Sequence, residues 1–536
     1  MAAERLSHPL LGAIQGIRVH DRLVQFRSLP YGEIPQRFGR SSLLKHLPGD
    51  KPYDATKVGP QSIQPQNAAH MDAQSNQLPP DVEEQEQAED CLRLTITRPK
   101  DVPLTKLPVV VFLHGGAFFL GSGERRYYSP LTFCTHALEM QKPVLFVSMN
   151  YRLGALGFLH SSEASDLMPP NNGLHDQITG FEWLHRHIAG FGGDKDNITA
   201  LGQSAGGESL SLHNLSGRTE ALYRRSIMFS GTPLTMPDKS PTEHQENFLH
   251  QAAALQIRTK DRPSADIAAD MLTAPISSIR DLAYVGQPCI DSALIPSKKH
   301  ATMHAISAGL TPPPSGLESQ IISTTSYDGS ISNIMMRSDT TRKDHAQSFI
   351  AIARAVLHHP EDLLRLYDID PATPDEEALE NICLFESDVG FFVAGLSLAR
   401  GTAGGTRTYF QVFELGNPFE GPLEKGRFAS HTWDVVALLG AYEERLEEGY
   451  VDVIREWRER YIRYIVDGEA PWPRFDQGTG QMLIVPNGGG LAAVTTLDHV
   501  LAQRRGTLLE LARREGPDGA DILWEGVCRR WLMKGE

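Results

Sequence analysis

The stretch "NITALGQSAGGESL", residues 197–210, sets Ser204 among glycines immediately after a short apolar run. A serine hydroxyl attacks a carbonyl well only when a base takes its proton, so a reactive serine implies a histidine and a carboxylate elsewhere in the chain. It also implies preorganised N–H donors for the oxyanion that attack creates. Gly202 and Gly206 lie two residues to either side of Ser204. That is the G-x-S-x-G pattern of a sharp strand-to-helix elbow, where a side chain at either flanking position collides with a neighbouring strand or helix. Ala205 and Gly207 keep the first helical turn slim.

The partners of such a serine belong in loops after later strands, the carboxylate before the histidine. "SQIISTTSYDGS" offers Asp328 just past a β-rich run, and "RFASHTWDVVALLG" offers His431 after the run "TYFQVFEL". The chain has 20 histidines, so position alone does not select His431. His175, His185, His187 and His213 lie on or beside helical stretches and read as surface or capping residues. The pair in "HRH" (185–187) is not a metal site, because positions i and i+2 point to different sides of a helix. From the residues alone, the roles of Asp328 and His431 stay open. For the oxyanion, "HGGAFF" supplies Gly115 and Gly116 at a strand end, and Ala205 supplies the N–H after the nucleophile.

These residues need a scaffold, and the chain supplies a recurring one: an apolar β-branched run, then glycines or polar loops, then a helical stretch. Strands are predicted in "LPVVVFLHGG" (107–116), "PVLFVSMNYR" (143–152), "NITALG" (197–202), "RRSIMFSGT" (224–232), "SQIISTTSYDG" (319–329) and "RTYFQVFEL" (407–415). Helices are predicted over 176–193 and after Ser204. Such alternation implies an α/β fold, a large and mainly parallel sheet with helices on both faces. Ligands of such sheets sit at the carboxyl ends of the strands, where "HGG", "GQSAG" and "YDG" all fall. The stretch 233–318 reads as a helical and loop insertion, and the whole chain, 1–536, as one large domain.

Composition narrows the partners. The chain of 536 residues is 40% hydrophobic with a net charge of -15, and no Lys/Arg cluster is dense enough to follow a phosphate backbone, which argues against nucleic acid. Between Gln66 and Asp90 many acidic residues and no Lys or Arg stand among Gln, Asn and Pro, the pattern of a solvated, mobile acidic loop. No run approaches the roughly 18 apolar residues of a membrane span, and the N-terminal residues lack the h-region of a secretory signal. Five widely spaced cysteines without a CxxC fit buried thiols in a reducing compartment, so a cytoplasmic location is expected.

Taken together, the motifs resemble those of the type B carboxylesterases, the family that also contains the cholinesterases. "FGGDKDNITALGQSAGG" (191–207) matches the family's nucleophile signature, with Ala200 where a larger aliphatic is usual. "EDCLRL" (89–94) matches the start of its second signature, from which Arg93 and Thr95 depart. "NYRLGALGFL" (150–159), "NNGLHDQ" (171–177) and a shortened "FRSLPYGEIPQRF" (26–38) also have counterparts. The resemblance implies an α/β-hydrolase fold, Ser204 as nucleophile, His431 as general base, Asp328 as the acid that orients it, and an oxyanion hole from Gly115, Gly116 and Ala205. At position 328 the family more often has Glu, and Ser323 stands where a glycine is expected; Asp434, Glu386 and Asp388 are the alternative acids. The cysteine that the family usually pairs with that of "EDCL" is missing upstream, so the resemblance implies an unpaired Cys91. No metal or organic cofactor is implied, and the expected partner is a small ester with an apolar part, Phe118 and Phe119 being candidates for its wall. The same residues also suit an acyl-transferring or lactone-opening enzyme, and the fold alone suits a non-catalytic binding protein.

Overall fold

Successive side chains of the run Leu107–Leu113 go to opposite cores: Val109, Val111 and Leu113 pack into one apolar cluster, Val110 and Phe112 into another. Leu145–Met149 divides the same way, with Phe146 alone turned to the second cluster. This is the period of two of a strand covered on both faces, and it explains why these runs are apolar throughout.

The computed structural model describes residues 3–49, 51–236, 238–282, 284–295, 302–309, 313–339, 341–402, 405–476, 478–502 and 504–534. In chain order its strands are β1 (Ala3–His8), β2 (Gly12–His20), β3 (Leu23–Pro30), β4 (Gly32–Glu33), β5 (Ser42–Leu43), β6 (Tyr53–Asp54), β7 (Arg93–Pro99), β8 (Leu107–Leu113), β9 (Leu145–Met149), β10 (Gly193–Gln203), β11 (Arg225–Phe229), β12 (Ser319–Thr325), β13 (Arg407–Phe413), β14 (Gln481–Val485) and β15 (Ala493–Thr496). One sheet runs in the order β1-β2-β3-β7-β9-β8-β10-β11-β12-β13-β14-β15, with β6 paired to β2. From β9 to β14 every pairing is parallel. The pairings along the path outside that block, on both flanks, are antiparallel, and β6 lies parallel to β2.

The six strands read from the sequence are β8 to β13. The flanking strands escaped because their patterns are weaker: β2 is half exposed, and β7 buries Thr95, Thr97 and Arg98 among its aliphatics. Helices close both faces. Asn172–His187 and Ala205–Leu215 feed Phe181, Trp183, Leu184 and Leu210 into the first cluster; Leu131–Glu139 and Glu448–Asp467 feed Phe133, Trp457 and Tyr461 into the second. Beneath the first face, Arg152 forks onto Asp176, Nε to Oδ2 and Nη2 to Oδ1 both at 2.7 Å, and donates to Gly39 O. Both partners are buried, so the pair ties "NYRLG" to "NNGLHDQ" where water cannot compete.

Within 233–318 the structure has helices at Pro241–Ala254, Ser264–Thr273, Ile276–Arg280 and Met303–Ser307, while 237, 283, 296–301 and 310–312 lie outside the described residues. The acidic segment 66–90 does not stand apart in solvent as a plain loop. It forms the helix Ala68–Ser75 and buries Ala69, Ala73, Leu78 and Val82 in the second cluster, because its apolar residues outweigh the acidic ones on the inner face. One helical run among the described residues, Asp375–Thr402, is long and apolar enough to cross a membrane, and 94% of its apolar window is buried inside the protein. Its middle, Ser387–Val393, widens into a π-helical turn.

A tight joint lies between helix Ala205–Leu215 and the end of β8, where a Cβ on Gly206 would stand 2.0 Å from Leu113 O. Gly206→Ala is therefore expected to lower stability by about 3 kcal/mol or more. Gly449→Ala, in helix Glu448–Asp467 with nothing within 4 Å of the added Cβ, is expected to raise it by about 0.5–1 kcal/mol. Chemical denaturation of both variants checks this, and equal effects at the two positions would contradict it.

Candidate active site

β10 ends at Gln203 and the following helix begins at Ala205, so the chain must turn within one residue. Ser204 makes that turn at φ 53° and ψ −123°, a conformation that costs a non-glycine residue about 1–3 kcal/mol. The turn is pinned on both sides: Ser204 N donates to Phe229 O and Glu208 N donates to Ser204 O, each at 2.8 Å. A Cβ on Gly202 would lie 2.3 Å from Gly206 O, which is the crowding that the glycine spacing implied. Gly231, which no motif pointed to, has the same constraint, with Ser204 O 2.3 Å from its would-be Cβ. Gln203 and Ala205 are buried, whereas Ser204 keeps part of its surface open.

Asp328 and His431 meet on the loops after β12 and β13. His431 Nδ1 lies 2.9 Å from Asp328 Oδ1, and Asp328 Oδ2 accepts from Thr325 N at 2.9 Å. Both side chains are almost fully buried. The short reach of Asp is met by drawing the two loops together: Tyr327 N donates to Ala429 O, Ala429 N to Ser326 Oγ, and His431 N to Ser330 Oγ at 2.8 Å. Ser323 uses its hydroxyl inside the sheet, accepting from Gln411 Nε2 at 2.9 Å. Phe391, carried by the π-helical turn, packs edge-on against the His431 ring, 5.5 Å between centroids.

None of the alternative acids bonds to His431. Asp388 is held by Arg504, Arg505 and Tyr367. Glu386 accepts from Ser332 Oγ and leaves Oε2 without a partner. Asp434 accepts from Val435 N and leaves Oδ2 unpartnered. Burial, with Asp328 nearby, pushes Asp434 far above the usual carboxylate range, and burial pushes Glu386 up to about 8. Of the other histidines, His187 and His213 are core residues rather than surface ones; His213 Nε2 meets Gln177 Oε1 at 2.9 Å.

The loop after β8 has an unusual backbone. Gly116 (φ 102°), Ala117 (φ 54°) and Phe118 (φ 56°) follow one another with positive φ, and Gly116 O accepts from both Phe119 N and Leu120 N. A Cβ on Gly115 would meet Ser204 Cβ at 2.9 Å, so Gly115 brings this loop directly against the elbow. Helix Ala205–Leu215 has no side-chain cap, which leaves its first N–H groups, Ala205's included, without an intrahelical acceptor. Phe118 is a core aromatic against Phe158, while Phe119 faces Tyr284 and lines a small indentation with Leu153, Leu156, Ile279 and Arg280.

Sequence reasoning missed the other side of the imidazole. His431 Nε2 is met by Gln203 Nε2 at 3.2 Å, and no hydrogen bond joins it to Ser204 among the described residues. Gln203 stands inside the serine motif, beside Ser204, and that adjacency was the available signal.

The model of the carboxylesterase family matches residues 5–466. Para-nitrobenzyl esterase of Bacillus subtilis (strain 168) is 36% identical over 221 residues, 41% of this chain and 42% of that protein. Bile salt-activated lipase of Rattus norvegicus is 41% identical over 170 residues, 31% of this chain and 27% of that protein. The chain thus matches less than half the length of these curated relatives. A solved PNB esterase superposes with a TM-score of 0.72 at 21% identity, covering 94% of this chain and 100% of that one, so the fold is shared throughout.

The raised Glu386 makes a test by pH. Below the ordinary carboxylate range both folded and unfolded chains hold its proton; as pH rises toward 8 only the folded chain keeps it, and stability falls. Glu386→Gln is expected to leave the unfolding free energy near pH 4 unchanged and to raise it by about 2–5 kcal/mol at pH 8. Denaturant titrations at the two pH values read the difference, and an equal change at both would contradict it.

Proposed function

The chain belongs to the carboxylesterase family, and on that footing we propose that it hydrolyses carboxylic esters through an acyl intermediate on Ser204. The observation that carries this reading is the buried 2.9 Å contact of His431 Nδ1 with Asp328 Oδ1, which leaves Nε2 as the basic nitrogen at the elbow. His431 takes the Ser204 proton as Oγ attacks the ester carbonyl. Asp328 fixes the ring and stabilises its charged form, and the N–H groups of Gly115, Gly116 and Ala205 receive the oxyanion. His431 then protonates the departing alcohol, and water repeats the sequence to release the acid.

Phe119, half-buried on the loop that carries Gly115 and Gly116, supports an ester with an apolar part. The continuous sheet among the described residues supports reading the chain as one catalytic unit.

Treatment with a fluorophosphonate followed by peptide mass spectrometry tests the nucleophile: a single adduct is expected on the peptide containing Ser204. Ser204→Ala is expected to lower turnover of an activated ester by roughly 10⁴ to 10⁶-fold. A variant that keeps a tenth of the activity would remove Ser204 from the mechanism. Turnover with a competing alcohol separates hydrolysis from acyl transfer by the product formed.

A further inference from the structure

We propose that Gln203 is a positioning residue for His431: its carboxamide N–H holds the Nε2 lone pair of the neutral imidazole until an incoming ester brings Ser204 Oγ to that nitrogen. The proposal rests on the ester-cleaving reading above, and it concerns how the base is kept ready.

Two anchors fix which way the Gln203 amide faces. At one end Tyr128 OH lies 3.2 Å from Gln203 Oε1, where the hydroxyl donates to the carbonyl in the orientation that the other end requires. At the other end a chain of hydrogen bonds runs to a buried carboxylate. Asn76 Nδ2 donates to Asp72 Oδ1 at 3.0 Å, and Asn76 Oδ1 therefore faces Thr432 Oγ1, 2.7 Å away. The Thr432 hydroxyl spends its proton on Asn76 and can only accept from Gln203 Nε2, at 2.8 Å. The second N–H of the same amide points at His431 Nε2, 3.2 Å away. Asp72 is held in turn by the Tyr127 hydroxyl. Every member is buried, so the polarity of the chain is set by the carboxylate at its end and not by solvent.

The opposite edge of the ring agrees with this. Nδ1 faces the Asp328 carboxylate and carries the proton, which makes Nε2 of a neutral ring an acceptor. An N–H donor at Nε2 stabilises that tautomer. It opposes the imidazolium, whose Nε2–H would meet a second donor, so the amide must turn aside once Ser204 hands over its proton. The charged and titratable groups around the ring are Asp328 on the loop after β12, Asp72 on helix Ala68–Ser75, and, through Asp328, Glu386 and Asp434 on their helices. Phe391 covers the ring edge with no charge. Gln203 is the neutral donor among them.

The test is the acid limb of the pH profile, read both as kcat/KM for an activated ester and as the rate of fluorophosphonate labelling of Ser204. Gln203→Leu, which removes the donor without adding charge, is expected to move the limb to higher pH by a few tenths of a unit. Gln203→Glu, which puts an acceptor opposite Nε2, is expected to move it by about one unit, roughly a tenfold loss at a pH below the wild-type limb. A limb that stays in place in both variants while rates fall at every pH would make Gln203 a structural residue and overturn the proposal. Movement in Gln203→Glu alone would also overturn it, because charge and not the donor would then be the cause. If neither variant folds, Thr432→Val frees the amide from its acceptor: an upward shift supports the proposal and an unmoved limb defeats it. Wild-type protein that takes no label at any pH would sink the ester-cleaving reading instead, so the two failures are distinct.

Discussion

Helix Ala205–Leu215 crosses the end of β8 so closely that a single methyl on Gly206 would overlap the carbonyl of Leu113. Most of the candidate site follows from that contact. With the helix pressed down, the link from β10 has one residue in which to turn, and Ser204 takes the strained conformation that lifts its side chain above the sheet. The same closeness forces glycine at 202, 115 and 231, each of which faces backbone or the serine itself. The cost of the strained serine is covered by packing on both sides: parallel strands β8 and β11 flank β10, and their side chains divide between two large apolar clusters.

Around the imidazole the protein controls charge by burial. Two carboxyl groups, Glu386 and Asp434, each lie close enough to Asp328 to be influenced by it. Among the described residues Glu386 and Asp434 have no cationic partner and incomplete hydrogen bonding, so burial raises both above the usual carboxylate range, Glu386 to about 8. Asp328 accepts from Thr325 N and faces His431. Asp388 shows the contrasting solution, in which, against burial that raises it, Arg505 and Arg504 hold a carboxylate below its usual range, while the Tyr367 hydroxyl also donates to it.

The central strands were legible because burial on both faces writes a continuous apolar run, as in "VVVFL" of β8. The antiparallel flanks were not, since strands such as β2 mix half-exposed and charged positions and leave only a faint alternation. The motif around Ser204 was legible from its glycines, whose spacing follows from a local steric rule. Asp328 and His431 could be named as a pair only through the resemblance, because their meeting depends on two loops stitched together across the sheet. Segment 66–90 misled for a related reason: its acidic residues dominate the composition, while Ala69, Ala73, Leu78 and Val82 form an inner face that composition does not reveal. Gln203 was visible but mute. Its significance comes from Thr432 and Asn76, residues 229 and 356 positions apart from their partners in the chain.

Those long separations bear on how the molecule comes into being. During synthesis the segment with Ser204 emerges early, yet the His431 that meets its neighbour Gln203 is supplied more than two hundred residues later. Local helices such as Asn172–His187 can form as they emerge, but the parallel pairing of β12 with β13 closes a long loop and must come late. On the proposed mechanism, a nascent or partly folded chain therefore carries Ser204 without its base. On the same proposal the complete site exists only after the last parallel strands have docked, so labelling of Ser204 doubles as a gauge of completed assembly.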